Sequence, residues 1–268
     1  MDLKPVPVVS GRRFRRVVQG KSERTFSFDT KSHGEVSSTT EFDFAVEITV
    51  REVERGRVKG LDARIERASR TTNETVLTPD AWIAPGHPLT EAPIKLVGRT
   101  ASLTLQGGKI EFGADGPADS DGRNIFQALA GGFLGKEHSE LEVPSVHLTQ
   151  SASTHELTTA LRALLASELT WARVAVDSLR VEGEPASVTV ESINAHQGRK
   201  VAVLRFDLGR DLPVGTFGSA LKLSGKLTVT EEGWPLELTA AGGCDQRYQT
   251  MAGVDRRWGK VSLRIAWE

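Results

Sequence analysis

The sequence predicts an α+β chain, mostly antiparallel β, in which two related halves form one or two curved sheets with one or two helices packed on them. Three observations lead there. Apolar and polar residues alternate with period two over most of the chain, glycine turns join the alternating runs into hairpins, and two central segments switch to helical spacing.

The alternation is clearest where Phe42, Phe44, Val46, Ile48 and Val50 interleave with Asp43, Glu47, Thr49 and Arg51. That pattern describes a strand with one buried and one wet face. After an Arg55-Gly56 turn, Leu61, Ala63 and Ile65 alternate with Asp62, Arg64 and Glu66, so the chain returns as a hairpin. A second hairpin runs through Leu103 and Leu105 to Gly107-Gly108 and back through Ile110 and Phe112. Near the N-terminus, Arg12, Arg13, Arg15 and Arg16 surround Phe14. They read as solvated arginines flanking one buried aromatic and guarding a strand edge, with phosphate contact as the competing reading.

The C-terminal half repeats this order. Residues 94–99 (Ile-Lys-Leu-Val-Gly-Arg) match residues 221–226 (Leu-Lys-Leu-Ser-Gly-Lys), and Ile110-Glu-Phe112 matches Leu236-Glu-Leu238 after a one-residue slip. Ile48 and Val50 have counterparts in Val188 and Val190. An internal duplication would place Gly98 and Gly225 at equivalent strand positions. The organisation is therefore an N-terminal β half over residues 1–120, a helical connection over 121–170 and a C-terminal β half over 171–268, joined in one compact unit.

Within the connection, Leu157, Ala160, Leu161, Leu164, Leu165 and Leu169 form one helix face behind a capping box of Ser153 and Glu156. A shorter helix is expected over residues 124–134, where Ile125, Phe126, Leu129 and Phe133 are apolar but Gly131 and Gly132 weaken the helix. An aspartate-rich turn with Asp115, Asp119 and Asp121 caps it. Residues 68–93 hold Pro79, Pro85, Pro88 and Pro93 with Trp82 and His87, which suits an irregular connection of the kind that often carries function.

Composition excludes several classes. With 34 basic and 35 acidic residues there is no global field for nucleic acid, and none is expected as a partner. A chain of 268 residues can bury an apolar core without a staple, and Cys244 alone can form neither an intramolecular disulfide nor a cysteine-built zinc site. His138, His147 and His155 lack the spacing of a helical zinc pair, and Gly-x-Ser-x-Gly and phosphate-binding glycine loops are absent. No catalytic residue, metal or cofactor is expected. No apolar run reaches the ~20 residues of a transmembrane helix, and residues 1–11 do not read as a signal peptide.

The C-terminal hairpin resembles one found in uncharacterised bacterial exported or lipid-anchored envelope proteins, in which a Gly-Trp-Pro-Leu turn follows a strand. Gly225, Gly233, Trp234 and Pro235 carry the likeness. The resemblance implies an extracytoplasmic location, with a cytoplasmic one as the alternative; if a leader was trimmed, the Pro5 and Pro7 region would be the residual tether to the first strand. A curved sheet covered by helices would also resemble bacterial lipoprotein carriers, which leads us to expect a non-enzymatic protein that binds a lipid or other hydrophobic ligand in a sheet/helix cleft. Leu157, Leu161, Leu164, Leu165, Phe126, Phe133 and Trp82 are the expected lining. The alternatives are an interaction module with an envelope protein partner, and an enzyme whose site carries no familiar motif.

Overall fold

The structure is a computed structural model, and it describes residues 1–28, 34–76, 95–149, 155–172, 174, 186–196, 198–251 and 253–268. The first half supplies strands β2 (Arg13–Phe28), β3 (Gly34–Glu54), β4 (Arg57–Val76), β5 (Thr100–Gln106) and β6 (Lys109–Phe112). The second supplies β8 (Ala186–His196), β9 (Arg199–Gly209), β10 (Gly218–Thr230), β11 (Pro235–Thr250) and β12 (Gly253–Trp267). All ten form one antiparallel sheet in the order β6-β5-β4-β3-β2-β12-β11-β10-β9-β8. The edge strands β6 and β8 do not pair with each other, so the sheet is open. Strands β1 (Asp2–Leu3) and β7 (Val146–His147) make a separate two-stranded ribbon.

Each half is thus a meander, and the two meet where β2 pairs with β12 from Phe28↔Asp255 to Arg16↔Trp267. Period-two alternation then assigns the faces. On β2, Phe14, Arg16 and Val18 point the same way as Phe44, Val46 and Ile48 on β3 and Leu263, Ile265 and Trp267 on β12. The other face carries charge ladders, such as Arg15 between Glu66 at 2.6 Å and Glu268 at 2.8 Å.

Helices α1 (Ser120–Ala130) and α2 (His155–Leu169) pack with the intervening chain on the apolar face, giving two layers around one continuous apolar cluster. The Asp119 side chain accepts from the Gly122 N–H at 2.6 Å and caps α1. That helix ends four residues earlier than the apolar pattern suggests, passing into a 3-10 turn at Gly131–Phe133. Glycine at two consecutive positions explains the early stop. The capping serine of α2, Ser153, lies outside the described residues, as do the four prolines, His87 and Trp82. No helix among the described residues is long and apolar enough to cross a membrane.

Three expectations need correction. Gly98 sits in a turn before β5 with φ +82°, whereas Gly225 lies inside β10, so the two are not equivalent strand positions. Both hairpin pairs exist, as β3–β4 with β5–β6 and β8–β9 with β10–β11, but their glycine registers differ. At Gly225 the ring of Phe206 comes so close that an added Cβ would stand 2.5 Å from it; Phe42 covers Gly20 of β2 in the same manner. These glycines make room for an aromatic ring from the neighbouring strand.

The second correction concerns residues 1–8, which are docked rather than a free tether. Leu3 and Val8 are each 1 % exposed, the Lys4 and Val6 N–H groups donate to Glu231 and Glu232, and Pro5 lies against Gly233. The third is Arg16, which is not solvated but completely buried on the Phe14 face.

Candidate functional site

Arg16 stands near the centre of the ten-stranded sheet, between Val46 on β3 and Trp267 on β12, with its guanidinium facing the helical layer. Burying a guanidinium demands partners, because an unpaired charge in an apolar interior costs far more than folding can offset. Both partners come from that layer. The Arg16 Nε donates to Glu140 Oε2 at 2.7 Å, and Nη2 donates to Oε1 of Glu168 in the last turn of α2. Trp267 adds a donor, its Nε1–H reaching Glu140 Oε2 at 3.2 Å. Side-chain exposure is 0 % for Arg16 and Glu168 and 6 % for Glu140.

Two carboxylates share one guanidinium, so the cluster carries an excess negative charge when all three groups ionise. Burial pushes the Glu168 carboxyl up from its ordinary 4.5 to about 7, with Arg16 opposing and Glu140 reinforcing the rise. Burial also opposes the charge on Arg16, but Glu140 and Glu168 overcome it and hold the guanidinium protonated. Satisfaction is incomplete: among the described residues, Arg16 Nη1 and Glu168 Oε2 have no hydrogen-bond partner. A second polar tie lies further along β2, where buried Ser22 Oγ donates to the Ala172 carbonyl at 2.6 Å, just beyond α2.

The expected lining residues belong to the same helix–sheet core. Leu157, Leu161, Leu164 and Leu165 of α2 and Phe126 of α1 are all buried in the one apolar cluster. Phe133 joins them from the 3-10 turn, its ring 4.3 Å from that of Phe14. The structure therefore brings six of the seven together at the helix–sheet interface, packed as core, while Trp82 lies outside the described residues. Trp234 of the Gly-Trp-Pro-Leu turn closes one end, with its ring edge toward Phe14 and the Arg12 guanidinium 3.9 Å above it.

Sequence reasoning missed Arg16, Glu140 and Glu168. Parity offered a signal for the first, since Arg16 alternates with Phe14 and Val18, and helical spacing for the third, since Glu168 lies four residues after Leu164 and seven after Leu161. Glu140, in an irregular segment, had none.

On the opposite face an open groove of about 480 Å³ is lined by Glu23, Thr39, Asp245, Arg256, Trp258 and Lys260 among others. Part of its charge is answered within the protein: Asp245 accepts from Arg256 at 3.1 and 3.0 Å and from Arg247 at 2.6 Å. It offers a ligand less than the buried cluster does. Among the described residues no group of three or more His, Cys, Asp or Glu side chains could hold a metal.

No family model matches the chain, and no curated protein matches it. Among solved structures, one of lipovitellin, studied for its lipid–protein interactions, is similar at 8 % identity with a TM-score of 0.43. The likeness covers 95 % of this chain and 25 % of that one, so the chain spans about a quarter of that protein's length. A DUF1329 family protein from Desulfovibrio piger is similar at 7 % identity and a TM-score of 0.15, over 93 % of this chain and 83 % of that one. At those scores the fold rests on the strand order and register above, not on either likeness.

Proposed function

We propose that the protein binds an apolar ligand, such as a lipid chain, between its helical layer and its sheet, and that the ligand enters when α2 and the Glu140 segment part from Arg16. One observation carries the reading: a buried ion cluster, with two atoms that lack a hydrogen-bond partner among the described residues, joins the two layers within a largely apolar interface. A hydrophobic contact of similar volume would hold the layers together as well or better, because desolvating two or three charges offsets most of their attraction. A seam of this kind favours layers that separate as bodies, and separation would expose the leucines of α2 and Phe126 and Phe133 opposite the apolar strands. The extracytoplasmic location belongs to the same proposal and is supported by the Gly-Trp-Pro-Leu hairpin.

The test is titration with a fluorescent fatty acid. The parent protein should show saturable binding. In R16M/E140Q/E168L, where the seam loses all three charges and the closed state gains about 1–4 kcal/mol, binding should weaken by about tenfold or more. A folded parent that shows no saturable probe binding at pH 6 or pH 8 overturns the proposal. The interaction-module reading would then gain, since among the described residues the eleven-residue edge strand β8 pairs only with β9 and leaves a ladder open to a partner strand.

A further inference from the structure

Of the nine large apolar side chains that stand exposed among the described residues, five lie at one end of the sheet. Val214 (97 % exposed) and Phe217 (54 %) belong to the connection between β9 and β10, while Tyr248 (44 %), Met251 (110 %) and Val254 (36 %) belong to the β11–β12 hairpin. The two loops are neighbours, because Gly218, next to Phe217, pairs with Arg247, next to Tyr248. Both are held in shape by hydrogen bonds. Arg247 Nη1 donates to the Pro213 carbonyl at 3.1 Å, Thr216 N–H and Oγ1 donate to the same carbonyl, and Thr250 Oγ1 donates to Gly253 O at 3.1 Å.

Exposed loop tips ordinarily carry small polar residues. These carry none of the usual charges: residues 212–218 and 248–254 contain no Asp, Glu, Lys or Arg. Charged residues stand just behind them instead, Arg210 and Asp211 before the first loop and Arg247, Asp255, Arg256 and Arg257 flanking the second, with arginine in excess. Asp245 takes Arg247 and Arg256 as partners and Asp211 takes Lys222 at 2.7 Å, so this flank keeps a basic excess, with Arg210, Lys222, Arg247, Arg256 and Arg257 against Asp211, Asp245 and Asp255. Exposed Arg257 lies over the ring of Phe26, its partner across β2 and β12, at 4.8 Å. An apolar tip with a basic collar has the layering of a bilayer surface, where acyl chains lie beneath anionic headgroups.

We propose that this end of the sheet docks on an anionic lipid bilayer, with Val214, Phe217, Met251 and Val254 entering below the headgroups and the arginine collar meeting phosphate. Preformed loops favour this, since little chain entropy is lost when rigid tips insert. The inference does not depend on ligand binding between the layers.

Vesicle co-sedimentation tests it, with phosphatidylcholine vesicles with and without phosphatidylglycerol. The parent should sediment with the anionic vesicles. V214D and M251D, both at fully exposed positions that leave the core untouched, should each lower partitioning by about tenfold. R257Q should lower it by about fivefold, and only on anionic vesicles. V9D is the control, because Val9 is also exposed (60 %) but belongs to the turn whose Gly11 bonds Val50 at the other end of the sheet. It should partition as the parent does, and all four variants should keep the parent's response to the fatty-acid probe. Absence of partitioning by the parent, equal partitioning on uncharged vesicles, or a V9D loss matching that of M251D would each overturn the proposal. So would self-association of the parent that M251D abolishes without any vesicle binding, which would make a second copy the occupant.

Discussion

At the scale of single residues, Arg16 and Glu168 show how a charged side chain can occupy an apolar interface. Each lies where the local periodicity points inward, and each is kept there by the other, with Glu140 as the second partner of Arg16. Removing one member leaves the rest exposed to the full cost of burial, so R16M alone should destabilise the protein by about 3–5 kcal/mol in urea unfolding, whereas R16M/E140Q/E168L should be neutral or stabilising. The cluster also makes a pH prediction. Glu168 has a folded-state pKa of about 7, above its ordinary 4.5, so the folded chain holds a proton that the unfolded chain has released between those values. Its contribution to stability is fully present below pH 4.5 and is lost as pH rises through about 7. E168Q, neutral throughout, should therefore lose that part of the decline between pH 4.5 and 7 in the urea midpoint. An unchanged slope would show that Glu168 does not titrate there. By the same sign, the helical layer should part more readily at pH 8 than at pH 5.

At the scale of elements, α2 is held by its leucine stripe as well as by Glu168. Leu161 is 1 % exposed and Leu165 is fully buried, so in the closed state both are core. L161A should cost about 2–5 kcal/mol in thermal or urea unfolding, from lost transfer energy and the cavity left behind. It should also weaken the fatty-acid probe if the stripe contacts ligand after opening. Destabilisation in that range with no probe binding by the parent would leave α2 a structural helix only. Among the strands, β3 with 21 residues and β4 with 20 are far longer than the alternating runs that first identify them, because their tip ends are Ser- and Thr-rich and carry no apolar period. The buried pair Thr40 and Thr72, with hydroxyls 3.2 Å apart, shows how this polar stretch is still joined across β3 and β4.

At the scale of the whole molecule, the two meanders share a sheet and a core. The last strand pairs with the first long strand, Arg15 and Glu268 exchanging backbone hydrogen bonds of 2.7 and 2.8 Å, and the apolar cluster continues across that junction. Calorimetry should therefore show a single transition with equal calorimetric and van't Hoff enthalpies; two resolved transitions would mean that the halves unfold as separate units. The strands that carry Phe42 to Val50, Leu61 to Ile65, Leu103 to Phe112 and Val188 to Val190, the hairpin turns at Gly56 and Gly108, the Asp119 cap and the α2 stripe were legible in the sequence. Each depends on a backbone period or on a turn preference spanning a few residues, and such local rules act wherever the residues occur. Tertiary structure alone decided that β2 joins β12, that residues 1–8 dock on the Gly233 turn, and that Arg16 turns inward. Parity placed Arg16 on the apolar face and charge argued against it. The contest was settled by Glu140 and Glu168, 124 and 152 residues away along the chain, whose approach no local pattern encodes.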